Sequence, residues 1–395
     1  MDTAYLAEWA NLLLRWLHLI TGMAWIGASF YFMGLDQSLK PAKDGNPLIR
    51  GEQWAVHGGG FYHKQKFIAG PEKLPEKLHW SKWEAYWTWM SGFSLFVLMY
   101  WGQASTYLID PDVADLAPWE AIAISIALLI AAWAVYDVIC RTPLGDDGMA
   151  MAIIGILGLA LTAYVTTRIF SGRGAYLQVG AMIGTIMAAN VLMVIMPGQR
   201  KMVAAVANGT AINPKWGGMG KQRSIHNNYT TLPVIFLMIS PHYPMFWQHE
   251  KAWLLLVAMA LAGALVRQFF NLRHQGIQVY DFWLAGGVVV VLVAVFIAPP
   301  HIAPPARGEA PAFAEVQSII SQRCMECHQP RPTNPAFAAP PKGVVLHTPS
   351  RIQRQAQAWA TQVRSEAMPP NNATGLTAEE RGRLLAWVAA GARVD

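Results

Sequence analysis

Residues 118–140 read PWEAIAISIALLIAAWAVYDVIC. The stretch is apolar nearly throughout, and it matches the ~20 helical residues needed to cross a ~30 Å hydrocarbon layer. Reading outward finds further runs of the same kind at Leu12–Met33, Tyr86–Ala104, Ala150–Phe170 and Tyr176–Pro197. Three more follow, at about Asn228–Phe246, Trp253–Leu272 and Asp281–Ala298. The sixth is expected to be a broken helix, because Pro233, Pro241 and Pro244 interrupt it. Such a break is tolerated in a membrane only where neighbours or water satisfy the backbone. The fold class expected is all-α: a polytopic transmembrane bundle of about eight spans, followed by a small soluble domain. Composition agrees. Of 395 residues, 54% are hydrophobic and 14% charged, against roughly 25% charged in a soluble protein. That excludes disorder, a nucleic-acid-binding protein and a simple water-soluble enzyme.

Loop charges orient the bundle. Segments 34–85, 141–149, 198–228 and 273–280 hold fifteen Lys and Arg, whereas 1–11, 105–117, 171–175 and 241–251 hold two. The loop 105–117 instead carries Asp110, Asp112 and Asp115. Since Lys and Arg collect on the cytoplasmic side, both termini are expected outside. The first apolar run is too long for a cleaved signal peptide and lacks a basic lead-in. Three domains are expected: a transmembrane part over 1–298, a Pro-rich linker over 299–311 that is semi-rigid and extended, and a polar tail over 312–395 with two helical stretches.

Within the tail, Cys324-Met325-Glu326-Cys327-His328 is C-x-x-C-H, the c-type haem attachment signature. Two thiols at this spacing can form thioethers to the haem vinyl groups, and His328 then reaches the iron. A zinc site wants four ligands, and the remaining cysteine, Cys140, lies in or beside the membrane. A redox dithiol wants a βαβ setting the tail lacks. Met/His is the usual ligation of a cytochrome c. Met325 is inside the motif, so Met368 is the candidate sixth ligand and His347 its rival. Thr377-Ala378-Glu379-Glu380 reads as a capping box opening a last helix, with Leu384, Leu385, Trp387 and Val388 as its buried face. That helix is expected to pack on an attachment helix at Phe313–Arg323. Haem attachment takes place in the bacterial periplasm, which also sets the C-terminus outside.

Ionisable residues inside spans are functional hypotheses by default. His18 lies within the first span, near Gly22 and Ala28. It is either hydrogen-bonded to a neighbouring helix or an axial ligand of a non-covalent haem b between helices. A second group gathers on the inner side: His57, His63, His226, Asn227, Asn228, Tyr229, Arg267, Asn271, Arg273 and His274. The His-Asn-Asn-Tyr run suits a planar polar ligand whose anionic edge an arginine could hold. His63 and His226 are the candidate general bases, since imidazole titrates near working pH. Gly58-Gly59-Gly60 reads as a glycine-rich turn beside aromatics, and nearby tryptophans read as interface anchors.

With these motifs in view, the chain resembles the bacterial membrane-bound urate oxidases (urate hydroxylases) that carry a C-terminal cytochrome c domain. The resemblance runs along essentially the whole chain. Its marks are Arg15-Trp16-Leu17-His18, Trp25-Ile26-Gly27, His57-Gly58-Gly59-Gly60-Phe61-Tyr62, Leu78-His79-Trp80, Trp83-Glu84-Ala85-Tyr86, His226-Asn227-Asn228-Tyr229-Thr230-Thr231-Leu232-Pro233, Ser240-Pro241-His242-Tyr243-Pro244 and Phe269-Phe270-Asn271-Leu272-Arg273-His274. This chain has Gln268 where some relatives have histidine. The resemblance implies oxidation of urate to 5-hydroxyisourate in the bacterial inner membrane. Electrons would leave through haem c to a downstream respiratory acceptor, a cytochrome c or an oxidase, rather than directly to dioxygen. With water as oxygen source two electrons are removed, while one c-type haem takes one. A urate site at the inner group also lies most of a ~30 Å slab from the tail, a gap that a haem b on His18 would bridge. The other placement for urate is near the outer face, around His242 and His249.

Two further readings compete. A membrane-anchored electron carrier needs only one span, and a transporter with a redox-sensing tail predicts pseudo-symmetric halves, which the sequence does not display. The enzyme reading is the one expected.

Overall fold

The computed structural model describes residues 3–43, 45–298, 311–335, 337 and 339–394. The Pro-rich linker falls almost wholly outside the described residues. A long helix α1 (Thr3–Ser38) leads into a hairpin of β1 (Ile49–His57) and β2 (Gly60–Phe67). Then follow α2 (Trp83–Phe96), continued by a π-helical turn Val97–Trp101, and the short α3 (Ala104–Tyr107). The next helices are α4 (Pro118–Cys140), α5 (Gly148–Thr166) and α6 (Gly172–Ala189). Helix α6 passes through a second π turn, Asn190–Ile195, into α7 (Met196–Ala207). Helices α8 (Pro214–Ile239), α9 (Pro244–Trp247), α10 (Ala252–His274) and α11 (Asp281–Phe296) complete the bundle. The tail holds α12 (Phe313–Arg323), α13 (Pro349–Arg354), α14 (Ala356–Arg364) and α15 (Ala378–Ala389).

Among the described residues, five helical runs are long and apolar enough to cross a membrane: Tyr5–Ser38, Pro118–Cys140, Gly148–Thr166, Gly172–Ala207 and Ala252–His274. The other three expected spans are helical but less apolar or shorter. Helix α8 carries the polar His-Asn-Asn-Tyr run, and α11 is 16 residues long. Pro233 does not break its helix, contrary to expectation; α8 runs through it to Ile239, and the chain turns only at Ser240–His242. Opposite the proline, a Cβ at Gly263 of α10 would meet Leu232 Cβ at 3.1 Å and Pro233 Cδ at 3.3 Å. Glycine there lets α10 cover the proline ring closely.

The all-α expectation misses the hairpin. Gly58 and Gly59 have φ of 58° and 81°, as a two-residue type I′ turn requires at both central positions, and Ala55↔Tyr62 and Val56↔Phe61 pair across it. Trp54, Val56 and Phe61 point outward. Buried polar pairs lock the bundle: Ser125 of α4 donates to Gln178 Oε1 of α6 (2.6 Å), and Trp101 Nε1 donates to Ser125 Oγ (3.0 Å). Tyr176 donates to the Ala252 carbonyl (2.6 Å).

The tail has its own core, with four helices where the sequence suggested two. Val316, Ile320, Ile352, Trp359, Val363, Leu384, Trp387 and Val388 bury one another. Helix α15 opens with the expected box, in which Glu380 N donates to Thr377 Oγ1 (3.1 Å) and Thr377 N to Glu380 Oε2 (2.8 Å). It packs on α12 through Phe313 against Trp387 and an Arg323–Glu380 ion pair of 3.0 Å.

Candidate functional site

In the tail, Cys324 follows the last turn of α12 and its N–H donates to the Ile320 carbonyl. His328 N in turn donates to the Cys324 carbonyl (2.9 Å), so one tight turn presents both thiols and the imidazole together. His328 Nδ1 donates to the Val344 carbonyl (3.0 Å). A metal-ligating histidine almost always donates its other ring N–H in this way, and the bond leaves Nε2 for iron. Both cysteines are free thiols. Burial pushes the Cys324 thiol up to about 12, with a smaller contribution from Cys327, and burial likewise raises Cys327. A reactive dithiol has the opposite signature, a depressed thiol pKa. No group of three His, Cys, Asp or Glu side chains that could hold a metal ion occurs among the described residues. The turn that gathers Cys324, Cys327 and His328, with Nδ1 of His328 held by Val344, has the side chains a covalently attached haem would need. Leu346 N donates to the His328 carbonyl (2.8 Å), which ties the 344–347 segment, and His347 with it, to the His328 side. Met368 sits on a separate loop after α14, before a cis Met368–Pro369 bond.

At the other end of the bundle, α8 presents two faces. Toward α4 and the π turn after α6, His226 Nδ1 shares a 2.8 Å hydrogen bond with the Tyr136 hydroxyl. Asn190 Nδ2 donates to Tyr136 (3.1 Å) and to Asn227 Oδ1 (2.8 Å), and Asn227 Nδ2 donates to the Met187 carbonyl. Beneath them Arg223, fully buried, pairs with Asp137 at 2.8 Å and lies 4.9 Å over the Tyr136 ring. Toward α10, Asn228 Oδ1 accepts from Arg267 Nε (2.9 Å) and Asn271 Nδ2 (3.0 Å), and Arg267 stacks 4.1 Å over Phe30 of α1. Tyr229 donates to Gln268 Oε1. Three buried atoms of the Asn228 group lack a hydrogen-bond partner: Asn228 Nδ2, Arg267 Nη2 and Asn271 Oδ1.

His63 stands apart from these groups. It lies on β2, donates through Nε2 to Glu52 (2.7 Å) and stacks on Trp54 at 4.2 Å. The bond to His63 is the first cause holding the Glu52 carboxyl below its ordinary range. His18 packs on α2, where Nδ1 donates to the Thr88 carbonyl (2.9 Å). A Cβ at Gly92 would fall 2.7 Å from His18 Cε1, so the bulky group that approaches this histidine is α2 itself. The bond to Thr88 engages Nδ1 of His18, the same use of Nδ1 that His328 makes with Val344, and α2 covers that side of the ring.

The tail meets the bundle over a cavity of about 500 Å³ lined by Asp110, Arg168, Trp247, His249, Glu366 and Arg381, among others. Gln248 donates to the Glu366 carbonyl across this seam. Burial holds the Asp110 carboxyl above its usual range. His249 thus lines the seam, while His242 lies in the turn after α8.

Sequence reasoning missed Tyr136, Asp137, Asn190 and Arg223. Asp137 is the one it could have found, as an ionisable residue inside the most apolar span. No curated protein and no solved structure matches the chain. The family model described as urate oxidase N-terminal matches residues 4–298. That match takes in every element of the bundle, from α1 through the paired faces of α8 to α11, and the chain belongs to the urate oxidase N-terminal family.

Proposed function

We propose that this chain is a membrane enzyme of the bacterial inner membrane that oxidises urate to 5-hydroxyisourate, with the tail periplasmic and electrons leaving through a c-type haem to the respiratory chain. Family membership supplies the link to urate oxidation in general. The observation that carries the site is the unpartnered trio on Asn228, Arg267 and Asn271. Leaving one buried polar group unsatisfied costs about 1–3 kcal/mol, so this cluster favours a ligand that completes it. Two donors beside one acceptor complement the alternating carbonyl and N–H edges of a planar purine anion. Arg267, held by Asn228 and by the Phe30 ring, fixes the anionic edge.

His226 is the proton acceptor in this reading. Tyr136 engages its Nδ1 on the face of α8 turned away from Asn228, which leaves Nε2 to take a proton relayed by water as the 5-hydroxy group forms. His63 is less suited, because its Nε2 is committed to Glu52. Asn227 and Asn190 hold the Tyr136–His226 pair in register. In the tail, Cys324 and Cys327 would attach the haem, and His328 and Met368 would be the residues that hold its iron. The c-type haem supplies a one-electron acceptor. Removing two electrons per urate therefore takes two successive transfers, with reoxidation by the downstream acceptor between them.

The test is anaerobic mixing of the oxidised protein with urate while the visible haem bands are followed. Reduction by urate but not by hypoxanthine is expected. A haem that dithionite reduces and urate does not would overturn the proposal in favour of an electron carrier.

A further inference from the structure

If substrate binds at the Asn228 end, electrons must travel the length of the bundle to the tail. Tyr86, Trp89, Phe93, Phe96 and Tyr100 recur every three or four residues along α2 and its π turn, the spacing that puts side chains on one helix face. From Trp89 onward the rings form a continuous series. Trp89 stacks on Phe93 (centroids 5.0 Å, planes 11° apart), and Phe93 meets Trp101 edge-on at 5.4 Å. Trp101 meets Phe96 at 5.7 Å, Phe96 stacks on Tyr100 at 5.3 Å, and Tyr100 reaches Tyr107 of α3 at 6.0 Å.

The π turn is what closes the series. In an α-helix a residue five positions on is rotated about 140° away, so Trp101 would turn its back on Phe96. The wider Val97–Trp101 turn brings both Tyr100 and Trp101 onto that ring. Single π turns of this kind occur frequently at functional sites.

The series ends where the tail docks. Helix α3 packs against the Pro370–Asn372 turn, which begins two residues after Met368. Arg173 lies 5.0 Å over the Tyr107 ring and donates to the Tyr100 hydroxyl (3.1 Å). Core packing accounts for Phe93 and Phe96. It requires neither a guanidinium on both terminal tyrosines nor an end point against the loop of the sixth haem ligand.

We propose that the Trp89–Phe93–Trp101–Phe96–Tyr100–Tyr107 series is the path by which electrons cross the apolar layer to the C-terminal haem. The inference rests on the function proposed above. Each passage removes one electron from the donor at the bundle site and reduces one ferric haem to ferrous. The rings are the medium crossed, so none is left oxidised and no proton leaves them. The two protons released per urate depart at the substrate site. Two passages complete one turnover, the haem passing its first electron to a one-electron acceptor before the second arrives.

The test uses the full-length holoprotein with Trp101→Leu and Tyr107→Leu, alongside the ring-retaining Trp101→Phe and Tyr107→Phe. In stopped flow, urate should reduce the haem about tenfold more slowly or worse in the leucine variants, and at near wild-type rate in the phenylalanine variants. Reduction by added dithionite should be equal in all five proteins, showing an intact haem. A second measurement needs no urate: hexaammineruthenium(II) is sealed inside lipid vesicles and reduction of outward-facing haem is timed. The same order of variants is expected. Wild-type haem that urate leaves oxidised but sealed ruthenium reduces would sink the urate reading and keep the path. Leucine variants as fast as wild type in the vesicle assay, or wild-type haem that sealed ruthenium does not reduce, would overturn the path.

Discussion

Replacing Asp137 by Asn tests whether the shell beneath His226 is built as described. Arg223 is fully buried, and its short charged contact is Asp137 Oδ1 at 2.8 Å; the bonds to the Asp137 carbonyl and to Asn190 Oδ1 are both 3.4 Å. Removing one partner of a buried pair costs about 3–5 kcal/mol, because the other charge is left uncompensated. Asn keeps an oxygen acceptor in place and the Tyr136 face still attracts the guanidinium, so the low end, about 3 kcal/mol, is expected. The second ion pair of Asp137, to the half-exposed Arg141, adds little, since exposed pairs contribute about 0.2–1 kcal/mol. At ~2 °C per kcal/mol for a large unit, the unfolding midpoint of detergent-solubilised protein should drop by about 6 °C. Tryptophan fluorescence at one fixed scan rate reads it. Asp137→Asn with Arg223→Met should recover most of the loss, because no charge is then stranded. A double variant less stable than Asp137→Asn alone would show that the arginine is not held by this carboxylate.

The remaining expectations concern the tail and the substrate cluster. Cys324→Ala with Cys327→Ala should abolish the haem stain after denaturing electrophoresis; an undiminished stain refutes the attachment site. Met368→Ala should keep the haem and open its sixth position to carbon monoxide, and unchanged carbon monoxide binding would remove Met368 as ligand. Glu380 is held below the ordinary carboxylate range, first by the Thr377 N–H and then by Arg323. A depressed pKa stabilises the fold fully above the unfolded value of about 4.3 and loses that contribution as pH falls through the folded value. Glu380→Gln should therefore cost about 0.5 kcal/mol at neutral pH, and the difference from wild type should begin to shrink in acid denaturation below about pH 4.3 and be gone once the pH is below the depressed folded value; a difference that does not shrink with acid is the contrary result. Arg267→Met should raise the urate concentration needed for half-maximal haem reduction more than it slows reduction by dithionite, and equal effects on both would dissociate Arg267 from the substrate.

What the sequence made legible follows from how each interaction is encoded. Hydropathy over twenty residues is a local sum, so the long apolar helices could be read directly. The capping box of Thr377 and Glu380 is likewise local, and it is observed as expected. Partners across helices are not local. Nothing near Asp137 in sequence announces Arg223, 86 residues away, and nothing near Asn190 announces Asn227. The break expected at Pro233 failed because a proline inside an apolar helix can be accommodated by its neighbours, and the residue packed against it, Gly263, sits thirty residues further on. The hairpin was missed because its alternation is apolar on the outward face, with Trp54, Val56 and Phe61 exposed, the reverse of the pattern by which a half-buried strand is recognised in water. The aromatic series on α2 carries the argument one step further. Its spacing is plain in the sequence, but spacing alone is equally that of a packed core. Only the π turn at Val97–Trp101, invisible to any periodicity count, turns a stripe of rings into a continuous path.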